Sequence, residues 1–331
     1  MRWLGPLPGP GAAVWWWRPS ARNAWTRPGR LANPRVNNEE TDVARDLLAA
    51  LAVGPLVCDG AMGTMLMASG VESRCPEEIN LISPDTVRNV HAAYVSAGAD
   101  VITTNSFGGN RAKLAKADME GRVREVNLAA ARLAREAAGD GLLVAGDLGP
   151  LGEFLEPLGA VAYQEAVSIY REQAEALAEG GVDFFLVETM FDLAEARAAV
   201  EGAASVGLPV VCTMTFDTGG RTMMGVAPAD AVVALVGAGA VAVGANCGVG
   251  PEETLKAIKE MHRAAPGARL VAQPNAGVPR VEGGVAVYTV GPEEMAAFAP
   301  RFIEAGVVLI GSCCGSSPEH TRAIARAVRG S

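Results

Sequence analysis

AEGGVDFFL, residues 178–186, closes a helix-like stretch, passes through glycine and enters an apolar β-rich run. The same succession occurs in SAGADVITT (96–104), GAGAVAVGA (237–245) and IEAGVVLIG (303–311). Glycine beyond a last helical turn supplies the left-handed conformation that stops a helix. A continuous apolar run suits a strand buried on both faces of a parallel sheet. Each unit therefore reads helix, stop, strand.

Extending this pattern outward gives eight strand candidates: 56–60, 100–105, 142–147, 183–188, 209–216, 240–247, 270–275 and 307–313. Helical periodicity separates them. Val87, Val90, His91, Tyr94 and Val95 recur at helix spacing after Ser83 and Pro84; Val167, Tyr170, Ala174 and Leu177 do so before Gly180. Met295, Phe298 and Phe302 predict one further helix before Gly306. Eight strands alternating with helices over 42–330 predict a single-domain α/β fold, a (β/α)₈ TIM barrel. An open doubly wound sheet is the alternative, but no G-x-G-x-x-G follows the first strand.

Residues 1–38 stand apart. They hold six Arg, six Pro, all five Trp and no acidic residue, with neither helical nor strand periodicity. A disordered extension is expected, produced by a mis-called start before Val36 or serving as a targeting segment. Beyond it, 22 basic residues face 37 acidic ones, a balance that repels nucleic acid. No apolar stretch approaches the roughly 18–20 residues that span a bilayer. Six cysteines without a secretory signal, two of them adjacent, suit metal or catalytic thiols in a reducing compartment, with the cytoplasm as default.

In a barrel the site lies at the carboxyl ends of the strands. Those ends read Asp59-Gly60, Thr104-Asn105, Asp147, Glu188-Thr189, Asp217, Asn246-Cys247, Asn275 and Cys313-Cys314. Asn and Asp after a strand also shape turns, but this many polar groups at one rim suggests a site. Neighbouring side chains on a strand point to opposite faces, so Cys313 and Cys314 serve one site only where the backbone turns. With Cys247 they supply three thiols from the sixth and eighth strands. Three thiolates with a fourth position open make a reactive Zn²⁺ centre. Cys58 and Cys212 read instead as strand-interior residues and Cys75 as a loop residue. Zinc with three thiolates is a weak Lewis acid but still deprotonates a coordinating thiol, which points to a thiol substrate and alkyl transfer to sulfur. None of the three histidines has metal-ligand spacing.

DGAMGTML (59–66), TTNSFGGNRAKL (103–114), GDLGP (146–150), VETMFD (187–192), GANCG (244–248), PNAG (274–277) and GSCCGSSPEH (311–320) together resemble the homocysteine S-methyltransferase family. The resemblance runs from about residue 45 to 328 and implies a TIM barrel with Zn²⁺ on Cys247, Cys313 and Cys314. Homocysteine would be the substrate and methionine the product. The matching positions Asp59, Gly60 and Glu188 would hold the amino acid end of homocysteine, with Thr104 near it.

Members of that family take methyl groups from betaine, S-methylmethionine, S-adenosylmethionine, or methyltetrahydrofolate by way of cobalamin. Betaine calls for aromatic faces; here Gly108 and Thr189 stand where animal-type betaine enzymes carry aromatics, leaving Phe107, Phe191 and Phe216 as candidates. A cobalamin route would need a separate cobalamin-binding protein, which the Met-rich stretches 62–67 and 221–225 could contact. The alternative function is accordingly a homocysteine-presenting subunit that works only with such a corrinoid protein. A purely structural zinc knot would need a fourth protein ligand.

Overall fold

The computed structural model describes residues 46–330 apart from 218, 283 and 284. The expected extension at 1–38 lies outside the described residues. Eight parallel strands carry the chain: β1 (Leu56–Val57), β2 (Val101–Thr103), β3 (Leu143–Leu148), β4 (Phe184–Met190), β5 (Val210–Met214), β6 (Ala242–Cys247), β7 (Leu270–Pro274) and, after an antiparallel hairpin of β8 (Arg280–Glu282) and β9 (Val285–Val287), β10 (Val307–Ile310). Their order is β1-β10-β7-β6-β5-β4-β3-β2. A parallel bridge from Cys58 to Val101 joins the first strand to the second, so the sheet closes on itself. This is the predicted (β/α)₈ barrel.

The glycine stops behave as the repeat requires. Gly98, Gly181, Gly239 and Gly306 all have positive φ, between 88° and 102°. In the doubled Gly180-Gly181 it is the second glycine that takes the left-handed conformation.

Two apolar shells follow from strand alternation. Ile102, Val144, Phe185, Val187, Cys212, Val243, Ala272 and Ile310 face outward into the packing between sheet and helices. Val101, Leu143, Ala145, Phe184, Leu186, Val211, Ala242, Val271 and Leu309 fill the interior. Helix Leu47–Val53 packs Leu47 and Leu51 into that interior cluster, and Asp46 caps it by accepting hydrogen bonds from the Leu48 and Ala49 amides.

Several segments differ from expectation: the first strand, expected over 56–60, is Leu56–Val57, and the second, expected over 100–105, is Val101–Thr103. The single helix predicted through Met295, Phe298 and Phe302 is two, Pro292–Ala296 and Ala299–Glu304. Pro300 has no N–H to continue the ladder and its ring crowds the preceding turn. The eighth barrel strand ends at Ile310 rather than at 313, so the paired cysteines sit on a turn.

Phe184 is fully buried at the barrel centre. Phe184→Ala is expected to destabilise the protein by about 3–5 kcal/mol in equilibrium denaturation, because the closed interior cannot collapse onto the vacated volume.

Candidate active site

Continuing the inward parity of each strand by two residues turns apolar into polar. Ala145 is followed by Asp147, Leu186 by Glu188, Val211 by Thr213, and Val271 by Gln273, while Ala242 and Gly244 lead to Asn246. The carboxyl-end layer of the barrel is thus a polar floor, and above it opens a cleft of ≈ 290 Å³. Asp59, Gly60, Thr104, Glu188, Cys247, Cys313 and Cys314 all line it, so the residues expected to form a site from sequence do meet. Two strand ends fall elsewhere. Asp217 is exposed and accepts a hydrogen bond from the Gly219 amide; Asn275 donates to the Gly248 carbonyl and leaves the lining to Gln273.

The three thiols converge through β7. Pro274 is the register partner of Cys247 on one side, and on the other its carbonyl accepts the Cys313 amide at 2.8 Å. After Ile310 the backbone turns, with the Cys314 carbonyl accepting the Ala276 amide and Gly315 in the left-handed region at φ 79°. Cys247 Sγ lies 2.8 Å from Cys313 Sγ and 4.0 Å from Cys314 Sγ, and all three sulfurs fall within 4.8 Å of one another. A tetrahedral ion with metal–sulfur bonds of about 2.3 Å spaces its sulfurs by roughly 3.8 Å. The Cys247–Cys314 separation matches that spacing, and Cys247 and Cys313 would need to part by about 1 Å. Among the described residues no further His, Cys, Asp or Glu joins the group. Hydrogen bonds from Cys247 and Cys313 push Cys314 down to about 3, while contacts with Cys247 and Cys314, together with burial, push Cys313 up.

Facing the sulfurs is a carboxylate-rich wall. Asp59, Glu77, Asp147 and Glu188 line the cleft, and among the described residues no Lys, Arg or His does. Burial pushes Glu188 up to about 8, reinforced by Cys314 and Asp59. Burial likewise pushes Asp59 up to about 7, even though its carboxylate accepts the Thr103 amide and hydroxyl, each at 2.8 Å. Asp147 is raised by burial and by the neighbouring Glu188, Glu77 and Asp59, and its Oδ1 has no partner. A positive group entering here would meet acceptors already desolvated. Gly60 keeps the floor open at this end, since a Cβ there would stand 2.7 Å from Ser316 Oγ and 3.1 Å from Ser312 Oγ. Just beyond it begins helix Met62–Ser69, whose N-cap Ala61 offers no side-chain cap to the first amides.

The remaining predicted residues sort by contact. Thr104 lines the cleft, but its hydroxyl accepts the Asp147 amide at 2.9 Å and pairs with Ser106 Oγ at 2.7 Å, so it braces β2 against β3. Phe107 lines the cleft; Phe191 packs edge-on to Phe154 and Phe216 is buried. Sequence reading named Asp147, Thr189 and Asn246 only as strand ends and missed Thr103, Glu77 and Gln273. The signal for Thr103 and Gln273 is the inward parity of their strands; for Glu77, whose carboxylate accepts the Gly108 amide at 2.6 Å, no sequence signal exists. Among the described residues no histidine lines the cleft; burial alone pushes His91 down to about 3, and His320 caps the last helix with Ser317.

Two residues beside the cleft have left-handed backbones without being glycine: Thr189 at φ 62° and Cys247 at φ 56°. For a β-branched threonine this is a real strain, on the order of 1–3 kcal/mol. It coincides with a register shift between Val187 and Met190 against β5.

A carboxyl group raised by burial is fully stabilising below its unfolded value and loses that contribution as pH rises through its folded value. For Glu188 this window runs from 4.5 to about 8. In the metal-free protein, Glu188→Gln is expected to melt several degrees above wild type at alkaline pH and close to it at mildly acid pH, followed by thermal unfolding across that range. A constant difference at all pH values would contradict a buried neutral Glu188.

A family model described as Homocysteine S-methyltransferase matches residues 56–328. Methionine synthase of Mycobacterium tuberculosis is 35% identical over 304 residues, covering 86% of this chain and 25% of that protein; methionine synthase of Mycobacterium leprae is 34% identical over 306, with the same coverage. The chain therefore spans about a quarter of the length of these relatives. The metallated form of the homocysteine methyltransferase MmuM from Escherichia coli superposes with a TM-score of 0.69 at 26% identity, covering 82% of this chain and 96% of that one. With a barrel of this kind, three thiols at its mouth and the match running from β1 into the last helix, the chain belongs to the homocysteine S-methyltransferase family.

Proposed function

We propose that this chain is a zinc-dependent homocysteine S-methyltransferase that forms methionine, with Cys247, Cys313 and Cys314 holding the metal. The observation that carries the reading is the opposition of three thiols and a cation-free, carboxylate-lined wall within one cleft. Such a wall selects a cation, and the thiol cluster calls for a soft ligand, so the fitting substrate is a thiol with an ammonium group.

The chain's own groups account for binding. Glu188 and Asp59 accept the ammonium, and its arrival favours their ionised forms. The substrate carboxylate falls to the uncapped amides that open helix Met62–Ser69, since no cationic side chain among the described residues lines the cleft. Zinc on three thiolates supplies deprotonation of the incoming thiol at neutral pH. In the reaction the donor's bond to its methyl carbon breaks, a carbon–sulfur bond forms, and the thiol proton passes to solvent. Holding sulfur and ammonium at separate fixed points leaves one line of attack on the methyl carbon. The absence of a fourth protein ligand among the described residues favours this over a structural zinc knot.

The second reading is a homocysteine-presenting subunit that takes its methyl group from a separate corrinoid protein. Its support is the likeness to methionine synthases of which this chain spans a quarter, together with exposed Met67 on the helix after β1 and exposed Phe154, Leu158, Met223 and Val278 on loops that follow β3, β5 and β7. Six unpaired cysteines suit a reducing compartment, and we assign the cytoplasm on that basis. No helix among the described residues is long and apolar enough to cross a membrane.

Purified protein is expected to carry about one zinc per chain, and Cys247→Ala to lose both the metal and methionine formation. A Cys247→Ala variant that turns over undiminished would refute the proposal. Incubation with homocysteine and, separately, betaine, S-methylmethionine, S-adenosylmethionine or methylcobalamin identifies the donor by the methionine formed. Activity confined to methylcobalamin, and raised by an added corrinoid protein, selects the second reading.

A further inference from the structure

Asn246 is 1% exposed and does not line the cleft, yet it touches both halves of the site. Its Oδ1 accepts the Thr189 amide at 2.9 Å and the Thr213 hydroxyl at 2.9 Å. Its Nδ2 donates to Glu188 Oε2 at 3.0 Å and to Thr189 Oγ1 at 2.7 Å. The backbone N–H of Thr189 can only donate, so the amide orientation is determined and Nδ2 must face the carboxylate. One residue along the chain lies Cys247, whose sulfur the Thr189 hydroxyl approaches at 3.9 Å. The left-handed Thr189 near the end of β4 and Cys247 at the end of β6 thus flank a single amide whose hydrogen bonds all go to β4 and β5.

We propose that Asn246 is a positioning residue that aims the Glu188 carboxylate into the cleft and locks it at a fixed distance from the Cys247 sulfur, so that the site measures the ammonium-to-sulfur separation of its substrate. The inference deepens the homocysteine reading and rests on it. With Oε2 held from behind by Nδ2, Glu188 presents its remaining lone pairs to the ammonium. The near alternatives fail: Asp lacks the donor and would set a second carboxylate against Glu188, Ala leaves the Thr189 amide and the Thr213 hydroxyl without their acceptor, and Gln is one methylene too long for a residue packed among β4, β5 and β6. Asn246 lies behind the cleft lining and acts through Glu188.

The test compares two thiols on zinc-loaded protein by calorimetry: L-homocysteine and its des-amino analogue 4-mercaptobutanoate, which keeps the sulfur and carboxylate and lacks the ammonium. Wild type is expected to prefer homocysteine. Asn246→Ala and Asn246→Asp are expected to weaken homocysteine by about tenfold or more, to leave the analogue within about twofold, and to keep the zinc content of wild type. A general structural role would weaken both thiols alike, and that result overturns the proposal, as does unchanged homocysteine affinity. Should either Asn246 variant fail to fold, Thr213→Val removes only one hydrogen bond to Oδ1 and is expected to weaken homocysteine by about threefold with the analogue unaffected; no selective loss there overturns it equally. Wild type that shows no preference for homocysteine refutes the substrate reading itself, whereas an intact preference that survives every variant refutes only the role of Asn246.

Discussion

Parallel pairing of β7 between β6 and β10 is the constraint on which the site depends. Leu270 to Ala272 pair with Val243 to Ala245 on one side and with Val307 to Ile310 on the other. That register delivers Pro274 to the side of Cys247 and offers its carbonyl to Cys313. Two cysteines 66 positions apart in the chain consequently stand in contact. A slip of one residue in either pairing would reverse which face each strand presents and turn one thiol toward the helices. Closure through β1, whose Leu56 and Val57 pair with Leu309 and Ile310, brings Asp59 and Gly60 to the same rim.

The polar floor shows what such a barrel gives up for its site. Asp59, Asp147 and Glu188 are all raised by burial, and Asp147 Oδ1, Gln273 Oε1 and Ser312 Oγ have no hydrogen-bond partner. Buried polar atoms without partners are uncommon because each forfeits its hydration. Asp147, Gln273 and Ser312 all line the cleft, over an interior that is otherwise apolar, where an arriving molecule can supply the missing partners. Left-handed Thr189 and Cys247 add backbone strain in the same place. The lower interior, from Leu47 through Phe184 to Leu309, carries none of this and anchors the strands rigidly beneath.

Much of this was legible before any coordinates. The glycine stops and apolar runs specified eight parallel strands, because a helix needs a left-handed exit and a doubly covered strand needs apolar residues on both faces. The two cysteine-bearing motifs specified a three-thiol cluster once the strands were known to close. Residues that act through others were harder to find. Asn246 and Thr103 carry ordinary turn-forming or strand-forming side chains, and nothing in their neighbours announces that one braces Glu188 and the other Asp59. The break at Pro300 was readable in principle; the helix periodicity of Phe298 and Phe302 outweighed it.

What the sequence by itself determined is therefore the architecture and which thiols gather at the barrel mouth, since both follow from local periodicity and from residue chemistry. Tertiary structure alone decided which polar groups face inward with the thiols and which are consumed elsewhere. Thr104 lines the cleft but spends its hydroxyl on Asp147 and Ser106, Asn275 turns away to Gly248, and Gln273 and Glu77 join the lining. The reason is physical: hydrogen bonds between side chains far apart in sequence depend on strand register and loop path to within an ångström, and no local pattern encodes a distance between segments that have not yet met.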